Sequence, residues 1–328
     1  MVRETIGVVG LGLLGRGIAA CFLGHGFRVI GYARNATEHA AALGPIAEMV
    51  DELAHRTQQT DLKGSWQNQY QSVTTFEPLA DCELVVESVP ENAAIKRAIF
   101  LRLEEVVAPM TILASNTSAT PITLLQEGAR HPERIIGMHW AEPAHVTRFL
   151  ELICGERTAE SVLERAAGFA RRLGKEPARC RRDVPGFIVN RVAYAMYREV
   201  CHLIETGVAD PLTIDTALRN TLGLWATVCG PLRWIDLTGG PELYAAAMEG
   251  VLPTLSNETQ VPRTLRDLAA SGARGIVNGR GFFEYTAEEA ARWKELQERH
   301  AARASQTFDE YFPLKPNSET PTSSQVRT

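Results

Sequence analysis

Apolar and polar positions follow two different rhythms along this chain. In the first half, short apolar runs at 5–9, 27–32, 83–87, 111–115, 134–140 and 149–153 have the length and composition of buried strands. Between them lie segments of helical spacing at 14–23 and at 93–107, where Ile95, Ile99, Leu103 and Val106 share a face. Strand and helix in alternation imply a parallel sheet covered by helices. The stretch 43–71 is longer and more polar than a crossover helix needs and reads as an arm projecting from the sheet. Asp183-Val184-Pro185-Gly186 breaks the pattern. Beyond it strand signals stop, and 187–205, 212–223, 242–252 and 287–304 read as helices. The expected fold class is α/β: a doubly wound sheet domain over 1–184, an all-α domain over 185–312, and a disordered Pro/Ser/Thr-rich tail over 313–328.

Gly10, Gly12 and Gly15 fall between the first strand and the first helix, as G-x-G-x-x-G. The first glycine allows a tight turn, the second a close approach of pyrophosphate to the main chain, the third helix–strand packing. Leu13 and Leu14 open the helix whose N–H groups and dipole face the anion. The sheet domain is therefore expected to be a Rossmann-type dinucleotide site. About 20 residues on, such sites place an acid against the ribose 2′-OH of NAD. Here the chain reads Tyr32-Ala33-Arg34-Asn35, and an Arg suits the 2′-phosphate of NADP. Local chemistry at Ala33-Arg34 leans toward NADP, while a surface Arg with NAD held otherwise is the alternative.

The 328 residues suffice for two cores. A net charge of −5 gives nucleic acid no footing. Arg3, Glu4 and Arg16 interrupt the first apolar stretch, which is neither a signal peptide nor a membrane span. Six cysteines without a C-x-x-C pair read as reduced thiols of a cytoplasmic protein, with no metal site.

His139 ends one strand, and Glu151 stands inside the next apolar run. A carboxylate there is costly unless paired. If the turn at 143–145 folds the two strands side by side, Glu151 meets His139. Such a Glu fixes the tautomer of the ring and leaves the other nitrogen to accept an alcohol proton. Taken alone, the two residues are better read as a buried pair with no reaction.

Further segments narrow the choice: Val85-Val86-Glu87-Ser88-Val89-Pro90-Glu91-Asn92, Ser115-Asn116-Thr117-Ser118, Gly137-Met138-His139, the stretch 183–191, and Gly279-Arg280-Gly281-Phe282-Phe283-Glu284-Tyr285. With these the chain resembles the L-3-hydroxyacyl-CoA dehydrogenase family from about residue 5 to 300. The resemblance implies hydride transfer between nicotinamide and a secondary alcohol, a 3-hydroxyacyl-CoA or 3-hydroxy acid, with NAD as cofactor and a place in fatty acid metabolism. It implies His139 as general acid/base and Glu151 as its orienting partner. Ser118 and Asn190 would hold the substrate oxygen. Glu91, Lys96 and Asn116 would contact the nicotinamide end. It also favours a homodimer through the helical domain, where Tyr194, Met196, Tyr197, Val200 and Leu203 supply apolar surface.

The family's His-Phe-Phe-Asn-Pro loop is His139-Trp140-Ala141-Glu142-Pro143 here. Glu142 would repel a carboxylate and attract an amine. The loop also resembles a subgroup acting on small ring-bearing alcohols. Arg56 and Lys63 are few cations for coenzyme A phosphates. The cluster Arg171, Arg172, Lys175, Arg179, Arg181 and Arg182 reads as a solvated basic face. The alternatives are therefore a dehydrogenase for a small non-CoA alcohol and, in another class, a non-catalytic dinucleotide-binding structural or sensor protein.

Overall fold

The structure is a computed structural model that describes residues 4–58 and 64–314. These divide into two compact units, one holding the residues up to 190 and those from 305 on, the other 191–304.

The first unit is built on one eight-stranded sheet: β1 (Thr5–Val9), β2 (Arg28–Tyr32), β3 (Tyr70–Val73), β4 (Leu84–Glu87), β5 (Ile112–Ser115), β6 (Ile135–Trp140), β7 (Phe149–Cys154) and β8 (Glu176–Cys180). Their spatial order is β3-β2-β1-β4-β5-β6-β7-β8. All neighbours are parallel except β6 and β7, which run antiparallel. The order reverses between β1 and β4, and a ligand of such a sheet binds outside the carboxyl ends at that point. The central strands are apolar on both faces because both are covered. Val8 and Val86 enter one layer with α1 (Leu13–Gly24), α2 (Ala36–Thr57) and α5 (Glu160–Arg172). Their neighbours Val9 and Val85 enter the other, with α3 (Ala93–Glu104) and α4 (Ile122–Leu125).

Three features differ from expectation. The segment read as a projecting arm is mostly α2, which packs on α1 through Ala42, Ile46, Val50 and Leu53, while His39 reaches the Val73 carbonyl. Those positions recur at helical spacing within a polar sequence, so a buried stripe was hidden by mean polarity. Trp66 and Gln69 are also buried. Lys63 lies outside the described residues. The edge strands β3 and β8 were not foreseen. Lys175, assigned to a solvated basic face, is buried, while Arg172 and Arg179 pair with Glu4 and Glu164.

The second unit carries most of α6 (Val189–Glu205), then α7 (Pro211–Asn220), α8 (Leu222–Trp225), α9 (Pro231–Leu237), α10 (Gly240–Val251), α11 (Arg263–Ala270) and the larger part of α12 (Ala287–Tyr311). Trp225 and Trp234 stack with ring centroids 5.1 Å apart. Only Cys201 and Ile214 of this unit are buried. Of the expected tail, Pro313 and Leu314 are described and lie in no helix or strand; 315–328 lie outside the described residues. Among the described residues no helix is long and apolar enough to cross a membrane. All six cysteines are free thiols.

Candidate active site

Gly10 takes a left-handed φ of 95° as the chain leaves β1, and a Cβ there would lie 2.7 Å from the carbonyl oxygen of Ser88. A Cβ on Gly15 would fall 1.9 Å from the carbonyl oxygen of Gly10, so α1 can approach β1 only without one. At Gly12 a Cβ would meet nothing within 4 Å, which leaves open space at the helix N-terminus. No side chain caps α1 and no acid lies in its first turn, so its amides remain available to an anion. This cradle fits a dinucleotide pyrophosphate. It borders a cleft of about 800 Å³. Gly10, Gly12, Leu13, Leu14, Arg34, Glu91, Asn116 and Ser118 all line that cleft. Gly15 lies beneath it.

Lys96, expected to touch the nicotinamide end, is fully buried instead. Its ammonium donates to both oxygens of buried Glu87, at 2.9 and 3.1 Å, and to the carbonyl of Val89 at 3.3 Å. Glu87 also accepts from Ser115 Oγ at 2.6 Å and from the Val89 amide at 2.7 Å. Lys96 therefore braces the wall of the cleft from behind. It also stands 3.4 Å from Glu91, whose carboxylate accepts from the hydroxyls of Thr117 and Thr120. Burial pushes the Glu91 carboxyl up, but these hydroxyls and the Lys96 charge outweigh it and hold it at about 2. Asn116 joins two strand ends, accepting from the Trp140 amide at 3.0 Å and donating to Ser88 Oγ at 3.1 Å.

The antiparallel register of β6 and β7 puts His139 directly opposite Glu151. Their Nδ1 and Oε2 are 2.7 Å apart. The other carboxylate oxygen accepts from the amides of Ile188 and Val189, at 3.0 and 3.1 Å, where α6 begins. Gly186 and Phe187, with φ of 80° and 53°, turn the chain so that these amides face Glu151. Burial pushes the Glu151 carboxyl up. The His139 hydrogen bond and the two amides together outweigh it and hold the carboxyl below its usual range. A charged Glu151 makes Nδ1 the protonated ring nitrogen, an assignment from the hydrogen bond, and leaves Nε2 as the acceptor. The rings of Phe149 and Phe187 flank the imidazole at 5.7 and 5.9 Å. Asn190 Nδ2 donates to the main-chain carbonyl of Ser118 at 2.9 Å, tying the α6 start to the cleft wall.

The loop 141–148 between His139 and Glu151 is held by two cations to which the sequence suggested other roles. Lys175 Nζ donates to the carbonyls of Ala144, at 2.5 Å, and Thr147. Arg56 donates to those of His145, at 2.8 Å, and Val146, at 3.3 Å. His145 and Arg148 turn inward, onto Glu52 and onto Asp309 and Phe312. Glu142 is exposed on this loop. Glu87 was not singled out for chemistry, although it carries the signal that marked Glu151, a carboxylate in an apolar strand. Glu38 was missed as well. It binds the Arg34 guanidinium, and the pattern Asn35-x-x-Glu38 of a helix start announces it.

The glycine cradle and the oriented imidazole at the carboxyl ends of one sheet define an NAD-dependent dehydrogenase of CH–OH groups. Residues 5–184 match the NAD binding domain of 3-hydroxyacyl-CoA dehydrogenase, and 186–285 its C-terminal domain. The chain belongs to that family. It is 34% identical, over 92% of its length and 96% of the relative's, to 5-formyl-3-hydroxy-2-methylpyridine 4-carboxylate 5-dehydrogenase of Mesorhizobium japonicum. It is 33% identical to a probable 3-hydroxybutyryl-CoA dehydrogenase of Deinococcus radiodurans, over 85% and 99% of the two chains. A crystal structure of a 5-formyl-3-hydroxy-2-methylpyridine 4-carboxylic acid 5-dehydrogenase, described as an NAD+ dependent dismutase, superimposes with a TM-score of 0.81 at 29% identity, covering 94% of this chain and 98% of that one.

Proposed function

We propose that the protein transfers hydride between NAD and a small carbinol substrate that carries no coenzyme A, with His139 as general acid/base. The 2.7 Å contact between His139 Nδ1 and Glu151 Oε2 carries the proposal. A bound nicotinamide supplies the hydride acceptor or donor. His139 Nε2 takes the hydroxyl proton, and Glu151 stabilises the ring as it becomes charged. The Ser118 hydroxyl binds the substrate oxygen. Asn190, whose amide is engaged by the Ser118 carbonyl, positions that residue and offers its own Oδ1 as an acceptor. Gly10, Gly12, Leu13 and Leu14 hold the pyrophosphate, and Glu91 and Asn116 the nicotinamide end.

Two observations support a substrate without coenzyme A. Arg56, one of the few cations offered for its phosphates, is engaged by loop carbonyls. Likeness to the pyridine dehydrogenase spans nearly all of both chains. A 3-hydroxyacyl-CoA is the second reading, favoured by likeness to 3-hydroxybutyryl-CoA dehydrogenases. The free cysteines support a reducing, cytoplasmic setting, and the exposed apolar helices of 191–304 support a homodimer.

Turnover of 3-hydroxybutyryl-CoA, its free acid and hydroxymethyl- and formyl-pyridine carboxylates distinguishes the readings. The pyridines should give the highest kcat/KM, and His139→Ala should lower kcat at least ~10²-fold. Faster turnover of the thioester would transfer the assignment to acyl-CoA. NADH binding with no turnover on the whole panel would make the protein a binder, and full activity of a folded His139→Ala variant would remove the histidine from the chemistry.

A further inference from the structure

We propose that Glu38 selects the dinucleotide: it supplies the acid missing from the end of β2 and occupies the guanidinium that would otherwise receive a 2′-phosphate. The inference rests on reading the glycine-lined cleft as the dinucleotide site.

Where an NAD enzyme places its ribose-binding acid, this chain has buried Ala33 followed by Arg34. By sequence alone that arrangement suits a 2′-phosphate. The structure changes the chemistry by bringing in Glu38 from the first turn of α2. Glu38 Oε1 accepts from Arg34 Nε at 2.9 Å and from its terminal nitrogen at 2.6 Å. Oε2 accepts from the Arg34 amide at 3.2 Å. Asn35 caps the helix by accepting from the Glu38 amide at 3.0 Å. Asn35 Nδ2 also donates to Oε1, at 3.4 Å, so Arg34 and Asn35 both hold the carboxylate. Arg34 and Glu38 line the same cleft as Gly10, Gly12 and Tyr32.

An exposed i,i+4 ion pair adds little to stability, so helix support is a weak account of this arrangement. Its position explains more. A ribose 2′-OH can donate to the Glu38 carboxylate. A 2′-phosphate, carrying about −1.5 to −2 charge, would meet that carboxylate instead and find the Arg34 fork taken. The hydrogen bond from Arg34 holds the Glu38 carboxyl below its ordinary range, so it remains charged at working pH.

Titrations of the full chain with NADH and NADPH, read by nicotinamide fluorescence without substrate, test this. The wild type should favour NADH at least ~10-fold, and Glu38→Gln should erase at least ~10-fold of that ratio by strengthening NADPH, the low end for relief of like-charge juxtaposition. Glu38→Ala should do the same if Glu38→Gln fails to fold. Adding Arg34→Ala to Glu38→Gln should abolish the NADPH gain. A Glu38→Gln ratio equal to wild type, a gain that survives loss of Arg34, or a wild type that favours NADPH would each overturn the proposal. Failure of the wild type to bind either dinucleotide would instead overturn the reading of the cleft.

Discussion

Single residues show the physics of this site most directly in their carboxyls. Glu91 is held at about 2 although burial pushes it up. A carboxyl that is lower folded than unfolded stabilises the fold above its unfolded value, and that contribution is lost as pH falls through the folded one. For Glu91 the window runs from 4.5 down to about 2. Glu91→Gln should therefore lose melting temperature less steeply than the wild type as the pH falls through that window. Coincident slopes of melting temperature against pH would contradict the assigned hydrogen bonds. At this scale much was legible. Glu151 announced itself because an unpaired carboxylate does not belong in an apolar strand, and the glycines because their spacing has few other uses. Lys175 and Arg56 gave no such signal. Their partners are main-chain carbonyls far away in sequence, and a carbonyl has no letter in the sequence.

At the scale of elements, the loop 141–148 shows what the strand pattern could not. β6 and β7 were readable as apolar runs, but what holds the turn between them is Lys175, which immediately precedes β8. Its ammonium also sits 5.3 Å from the Trp140 ring. β8 itself was missed because Glu176-Pro177-Ala178-Arg179-Cys180 is an edge strand. It has one neighbour, so charge and proline are tolerated. β3 escaped for the same reason, with Gln71 and Ser72 in a four-residue edge strand. α2 was misread because mean polarity, rather than periodicity, set the expectation. Lys175→Met keeps the bulk and removes the donor. With the Thr147 carbonyl left unpaired and that of Ala144 left to the Cys21 thiol alone, at 3.2 Å, it should cost about 1–3 kcal/mol in denaturant unfolding. Turnover should fall too, because His139 and Glu151 stand on the strands that the loop joins. Unchanged stability would mean that water or Arg56 takes over both carbonyls.

At the scale of the whole molecule, the two units differ in what they bury. The sheet unit has two apolar layers of its own. The helical unit buries only Cys201 and Ile214, although Leu224, Leu232 and Leu237 are each more than two-thirds exposed. Helices gain most of their stability from packing an apolar face, so a unit this long with so little core is incomplete by itself. In the proposed homodimer a second copy, matched to it by symmetry, would cover this surface. Sedimentation equilibrium in the micromolar range should therefore give twice the chain mass. Leu232→Glu, placing a charge on a side chain 78% exposed, should shift the equilibrium toward the single chain and lower the melting temperature of the helical unit. The lowered melting temperature distinguishes the two accounts of this surface. If the leucines only faced water, a glutamate would be harmless there, and the wild type would sediment as one chain. If they cover a twin, the same substitution buries a charge without a partner, which costs more than the leucine contributed.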